Sequence, residues 1–172
     1  VKADFSCHKL IHMQDHTPVP DGQVADAVKD NWVDRLAPAA SRPYLRLSRA
    51  DRSIGTWLLY ILCMLGVLLA ALHAATLQPW DAWLILASGA GAWLMRGAGC
   101  TWNDITDRHF DVLDARTRSR PIPSGQVSVR SAIFWIAAQA LIAFCILLTF
   151  GKMTIIVGIA SIGFVAIYPF AK

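Results

Sequence analysis

Apolar residues are not spread along this chain but gathered into four stretches, at 53–77, 82–101, 128–150 and 153–170, with polar residues crowded between and before them. At 1.5 Å of rise per residue, each of these stretches of roughly 18–25 residues reaches across a hydrocarbon core of about 30 Å as a helix. The pattern predicts an all-α integral membrane helical bundle with four transmembrane helices over residues 43–172. Residues 1–42 form a polar extension. Within it, Val24, Val28, Trp32 and Leu36 recur at i+4 between Pro20 and Pro38, which predicts a short helix over 21–37. That helix either lies on the membrane surface or is solvated with one apolar stripe. Trp57 marks one membrane boundary, and Trp80 and Trp83 the other. The second stretch is rich in small residues, including Gly89, Gly91, Gly97 and Gly99, which let neighbouring helices approach closely.

Composition supports the membrane reading, since 55% of the 172 residues are hydrophobic, only 16% are charged and the mean hydropathy is +0.44. The four cysteines form no C-x-x-C pair, so neither a disulfide framework nor a zinc site is indicated. Charge location says more than the net charge of +4. Eight of the sixteen Lys and Arg precede the first apolar stretch, and Arg108, Arg116, Arg118, Arg120 and Arg130 follow the second. The link near 78–81 has none. The positive-inside rule therefore places the N-terminus and the 102–130 loop together in the cytoplasm. These arginines sit at membrane boundaries and leave no basic face for a nucleic acid. The first forty residues lack the continuous apolar core of a signal peptide, and the opening Val1 predicts a processed or partial product.

Chemistry concentrates where the second stretch ends. Residues 103–111 read Asn-Asp-Ile-Thr-Asp-Arg-His-Phe-Asp. At about 100° per residue, Asp104, Asp107, Asp111 and Asp114 fall within a helical stripe roughly 80° wide, which continues the small-residue face of Gly97 and Cys100. So much negative charge at a membrane boundary calls for a cation, and Mg²⁺ prefers such oxygens and shares its shell with phosphates. Arg116, Arg118 and Arg120 alternate just beyond, where Pro121, Pro123 and Gly125 preclude a long helix. Planar guanidiniums suit polyphosphate oxygens. Arg96 lies about two turns before Asn103, and a guanidinium at that depth faces a cavity or a partner helix. Tyr168 and Lys172, four apart, share a face at the end of the last stretch.

Asn103-Asp104-x-x-Asp107-x-x-x-Asp111, followed by Arg116-Thr117-x-x-Arg120-Pro121 and Ser124-Gly125, resembles the first Asp-rich region of the UbiA superfamily of membrane prenyltransferases. Residues 52–59, residues 94–100 and Tyr168-Pro169-Phe170-x-Lys172 resemble its 4-hydroxybenzoate polyprenyltransferase branch. The likeness runs from about residue 43 to the end. Members usually carry proline where this chain has Ser53 and near Leu62. They typically have nine transmembrane helices and a second Asp-rich motif, which this chain lacks.

The resemblance implies Mg²⁺-dependent transfer of a polyprenyl group from polyprenyl diphosphate to the ring of 4-hydroxybenzoate, in ubiquinone biosynthesis. Asn103, Asp104, Asp107 and Asp111 would hold the metal, while Arg116, Arg120, Tyr168 and Lys172 would bind the diphosphate. Arg96 would either take the acceptor's carboxylate or orient Asn103. The implied location is the inner (plasma) membrane, or the mitochondrial inner membrane in a eukaryote. The isolated chain would be an inactive N-terminal half. Its rivals are a UbiA-type enzyme with another acceptor and a non-catalytic or transport-like membrane fragment.

Overall fold

The computed structural model describes residues 31–168, and among them all regular structure is helical. Two short helices, α1 (Trp32–Leu36) and α2 (Arg42–Leu47), lead into α3 (Ile54–His73). Then come α4 (Pro79–Thr106), the single turn α5 (Arg108–Asp111), α6 (Val129–Leu147) and α7 (Lys152–Ile167). Four long helices therefore stand at the four apolar stretches. The predicted 21–37 helix is present only as α1, its earlier part lying outside the described residues, as do Lys172 and Cys7. In α1 the buried side chain is Val33, packed with Ala37 and Ala50, whereas Trp32 and Leu36 of the expected stripe are exposed.

Among the described residues two helices, α3 and α6, are long and apolar enough to cross a membrane. Only 6% and 17% of their apolar windows are buried, so they are not core helices of a water-soluble domain. Their side chains need an apolar solvent. The other two depart from expectation for local reasons. In α7 the sixteen helical residues among those described rise about 24 Å, and residues 169–170 of the 153–170 stretch lie outside the described residues. Helix α4 is long at 28 residues, but glycines and Arg96 dilute its apolar character.

Helix α4 is the axis of the bundle, with α3 on one side and α6 on another. It starts at a reciprocal cap, in which Gln78 N–H donates to Asp81 Oδ2 at 2.8 Å and Pro79 fills the first turn. Close approach depends on Gly97. A Cβ there would lie 2.6 Å from Gln139 Nε2 and 2.9 Å from Ser48 Cβ. Glycine thus admits a buried polar junction, where Ser48 Oγ accepts from Trp135 Nε1 at 2.8 Å and Gln139 Nε2 at 3.0 Å.

The end that carries the polar motif is closed by a small core of Leu47, Ile105, Val127 and Ala132. These four come from α2, α4, the 112–128 loop and α6. The basic lead-in and the Asp-rich loop therefore occupy the same end of the bundle. At the opposite end, Trp83 Nε1 donates to Thr149 Oγ1 at 3.1 Å, tying the start of α4 to the turn after α6.

Candidate functional site

The acidic stripe is not one continuous helix. Asn103 and Asp104 occupy the last turn of α4, which stops at Asp107 (φ −83°, ψ 0°). Two side chains bond carbonyls of that last turn, the Asn103 carbonyl keeping its helical bond from Asp107 N–H as well. Thr106 Oγ1 bonds the Asn103 carbonyl at 2.9 Å and Arg108 Nη1 bonds that of Ile105 at 3.1 Å. Asp111 then falls in α5, one turn on. Asp114, expected on the same stripe, is exposed instead and caps the Arg116 backbone N–H at 2.8 Å.

Asp104 is the centre of the cluster. It is 2% exposed, and its Oδ1 accepts from Arg49 Nη2 at 3.0 Å and Arg120 Nη1 at 3.3 Å. Arg120 Nη1 also donates to Asp111 Oδ2 at 2.9 Å. One guanidinium thus bridges two carboxylates. Asp104 lies just beyond the 82–101 span, where burial pushes its carboxyl above the ordinary carboxylate range, against the pull of Arg49 and Arg120. Apart from these, Asn103 Nδ2 donates to Asp107 Oδ2 at 3.1 Å.

The loop turns Arg120 inward. Thr117 is buried and its hydroxyl donates to the Asp111 carbonyl at 2.9 Å. Buried Pro121 accepts the Val127 N–H, and Gly125 (φ +77°) allows the reversal between them. Arg116 and Arg118 remain exposed on the outer side of the same turns. The alternation seen in sequence thus separates one inward arginine from two outward ones.

Arg96 resolves differently. Its Nη2 donates to the Arg52 carbonyl at 3.3 Å, and its guanidinium lies against Gly55, where any Cβ would collide with it. It faces the start of α3 rather than Asn103, which removes the Asn103-orienting role. Its Nε is buried with no hydrogen-bond partner. Tyr168, at the end of α7, is exposed.

The residue that sequence reasoning missed is Arg49, counted only toward the charge balance. Helix α2 ends in a Schellman turn, with Arg49 N–H bonded to the Arg46 carbonyl and Ala50 N–H to that of Leu45, both at 3.0 Å. This turn puts Arg49 in the left-handed region (φ 50°), a place usually taken by glycine. No motif announces it.

Among the described residues no three His, Cys, Asp or Glu side chains converge as a metal-binding group. The donor chemistry nevertheless fits Mg²⁺ in part, since that ion commonly takes only one or two protein carboxylates and fills its shell with water and phosphate. Asp107, Asp111 and the Asn103 carbonyl oxygen are such hard donors. Asp104, expected among the ligands, is instead committed to two guanidiniums.

An apolar helical bundle with buried carboxylates and arginines gathered at one end is a helical membrane protein with a charged site at its water boundary. The chain belongs to the UbiA prenyltransferase family, whose model matches residues 46–172. It is 43% identical to the mitochondrial 4-hydroxybenzoate polyprenyltransferase of Aedes aegypti, over 80% of this chain and 30% of that protein. With the Homo sapiens and Saccharomyces cerevisiae proteins of the same name the identities are 40% and 34%. Those matches cover 90% and 92% of this chain but 41% and 44% of the relatives. The chain thus spans less than half the length of these relatives. No solved structure matches it.

Proposed function

We propose that this chain is the part of a 4-hydroxybenzoate polyprenyltransferase that carries the first Asp-rich motif, acting on polyprenyl diphosphate and 4-hydroxybenzoate. The observation that carries the reading is Arg120, held between Asp104 and Asp111 at the polar end of an apolar bundle in a member of this family. In the reaction the allylic C–O bond of the donor breaks and its electron pair leaves with the diphosphate. The aromatic ring then forms the new C–C bond and gives up a proton. Arg120, with Arg116 at the rim, binds the departing diphosphate, charge-assisted contacts that strengthen as negative charge develops. Lys172 belongs to the same proposal but lies outside the described residues. Tyr168 offers its hydroxyl from the end of α7.

Asp107, Asp111 and Asn103 would hold Mg²⁺, which when bound supplies Lewis-acid stabilisation to the diphosphate oxygens. The apolar helix faces lodge the prenyl tail and exclude water from the reacting carbon. Arg96 would take the acceptor's carboxylate. Its orphaned Nε supports that role, because a buried guanidinium donor without a partner gains most from an anionic one. The location that follows is an inner membrane, plasma or mitochondrial, with the charged end facing the cytoplasm or matrix.

The test is to express the complete gene product in a strain lacking its own 4-hydroxybenzoate polyprenyltransferase and measure prenylated 4-hydroxybenzoate. Product that disappears in Asp107→Ala and Asp111→Ala while membrane insertion persists supports the assignment. Product only with another aromatic acceptor would move it elsewhere in the family. No product with any acceptor would leave the non-catalytic reading.

A further inference from the structure

The Arg49–Asp104–Arg120–Asp111 chain of ion pairs holds two residues, Arg49 and Asp104, to which the proposed reaction gives no part. Arg120 divides one Nη1 between two carboxylates, 2.9 Å from Asp111 and 3.3 Å from Asp104. The shorter bond goes to the outer carboxylate because Asp104 has a second and closer cation, Arg49, at 3.0 Å. Asp104 is nearly sealed from water, so its charge must be met by whichever guanidiniums reach it. Without Arg49, Arg120 is the remaining guanidinium bonded to Asp104 among the described residues, and it would be drawn off Asp111 and inward. Arg49 keeps its place in a left-handed backbone turn that glycine adopts without strain. A long charged side chain at such a position marks a demand on the side chain rather than on the turn.

We propose that Arg49 is a positioning residue: by neutralising buried Asp104 it holds Arg120 toward Asp111, where Arg120 meets an incoming diphosphate. Arg49 itself touches no substrate in this account. The inference rests on the diphosphate role proposed above, so its test separates binding from turnover.

The complete gene product, in detergent, is compared as wild type, Arg49→Lys, Arg49→Met, Asp104→Asn and the Arg49→Met/Asp104→Asn pair. Inorganic pyrophosphate with Mg²⁺ is the binding probe, read by thermal shift, and steady-state rates are measured beside it. The expected result for Arg49→Met is pyrophosphate affinity weaker by about tenfold, the size of one lost charge-assisted contact. The donor KM should rise in step, with the acceptor KM within about twofold of wild type. Arg49→Lys should recover part of the loss. In the Asp104→Asn background, removing Arg49 should add little further loss, because no buried charge is left to capture Arg120. Additive losses, unchanged pyrophosphate affinity in Arg49→Met, or equal effects on both substrates would overturn the proposal. If Arg49→Met fails to fold, the Arg49→Lys variant and the paired variant decide the matter by the same criteria. A wild type that binds pyrophosphate but turns over no prenyl donor refutes the activity while leaving Arg49 to be judged on binding. A wild type that binds no pyrophosphate refutes both.

Discussion

Asp104 and Arg96 are two charged side chains on one helix, about two turns apart, and the bundle treats them in opposite ways. Asp104 is enclosed by guanidiniums from both flanks, one before α3 and one after α4, and every contact is charge-assisted. Arg96 has one backbone carbonyl at 3.3 Å and a buried nitrogen with no partner. The first is finished as a structural element. The second carries a desolvated donor that only an additional acceptor would satisfy. Burial alone therefore does not say what a charged residue in a membrane helix is for; the completeness of its partners does.

The comparison is broken most directly by removing each charge. Asp104→Ala leaves two guanidiniums facing each other and should cost about 3 kcal/mol, read as a large drop in thermal midpoint in detergent. Next in size is the junction beside it. Gly97→Ala should lose about 2 kcal/mol by the same measurement, since its Cβ presses on Gln139 and Ser48 inside a closed contact. Arg96→Met should change stability by less than about 1 kcal/mol, because the fold gains little from a half-satisfied guanidinium. If Arg96→Met instead destabilises as much as Asp104→Ala, the contrast between the two charges fails. In the complete enzyme, Arg96→Met should raise the acceptor KM more than the donor KM. The smallest effect is expected of Gly55→Ala, which displaces the guanidinium of Arg96, the far end of a long side chain. Stability should move by no more than about 0.5 kcal/mol, with a mild rise in acceptor KM and none in donor KM.

The helices were legible in the sequence because their apolar stretches are long, and the site because carboxylates at i, i+3 and i+7 stand beside arginines. The failures have a common cause. The helix breaks at Asp107, where the Arg108 side chain takes the Ile105 carbonyl in place of a backbone N–H, which periodicity does not register. Asp104 and Asp107 sit on one face in a helical projection, yet Asp104 meets arginines from distant segments while Asp107 meets Asn103. The direction of Arg96 is set by space that Gly55 leaves on a different helix. Arg49 was hidden most completely, since its reach depends on a left-handed turn at a residue that does not favour one.

The double clamp on Asp104 also joins the two ends of the α3–α4 hairpin. Arg49 precedes the first long helix and Arg120 follows the second, so one carboxylate is met from both ends of the α3–α4 hairpin. The ion pairs thus staple residues 49 and 120 to one carboxylate, so that charge alone closes the whole α3–α4 hairpin into a loop.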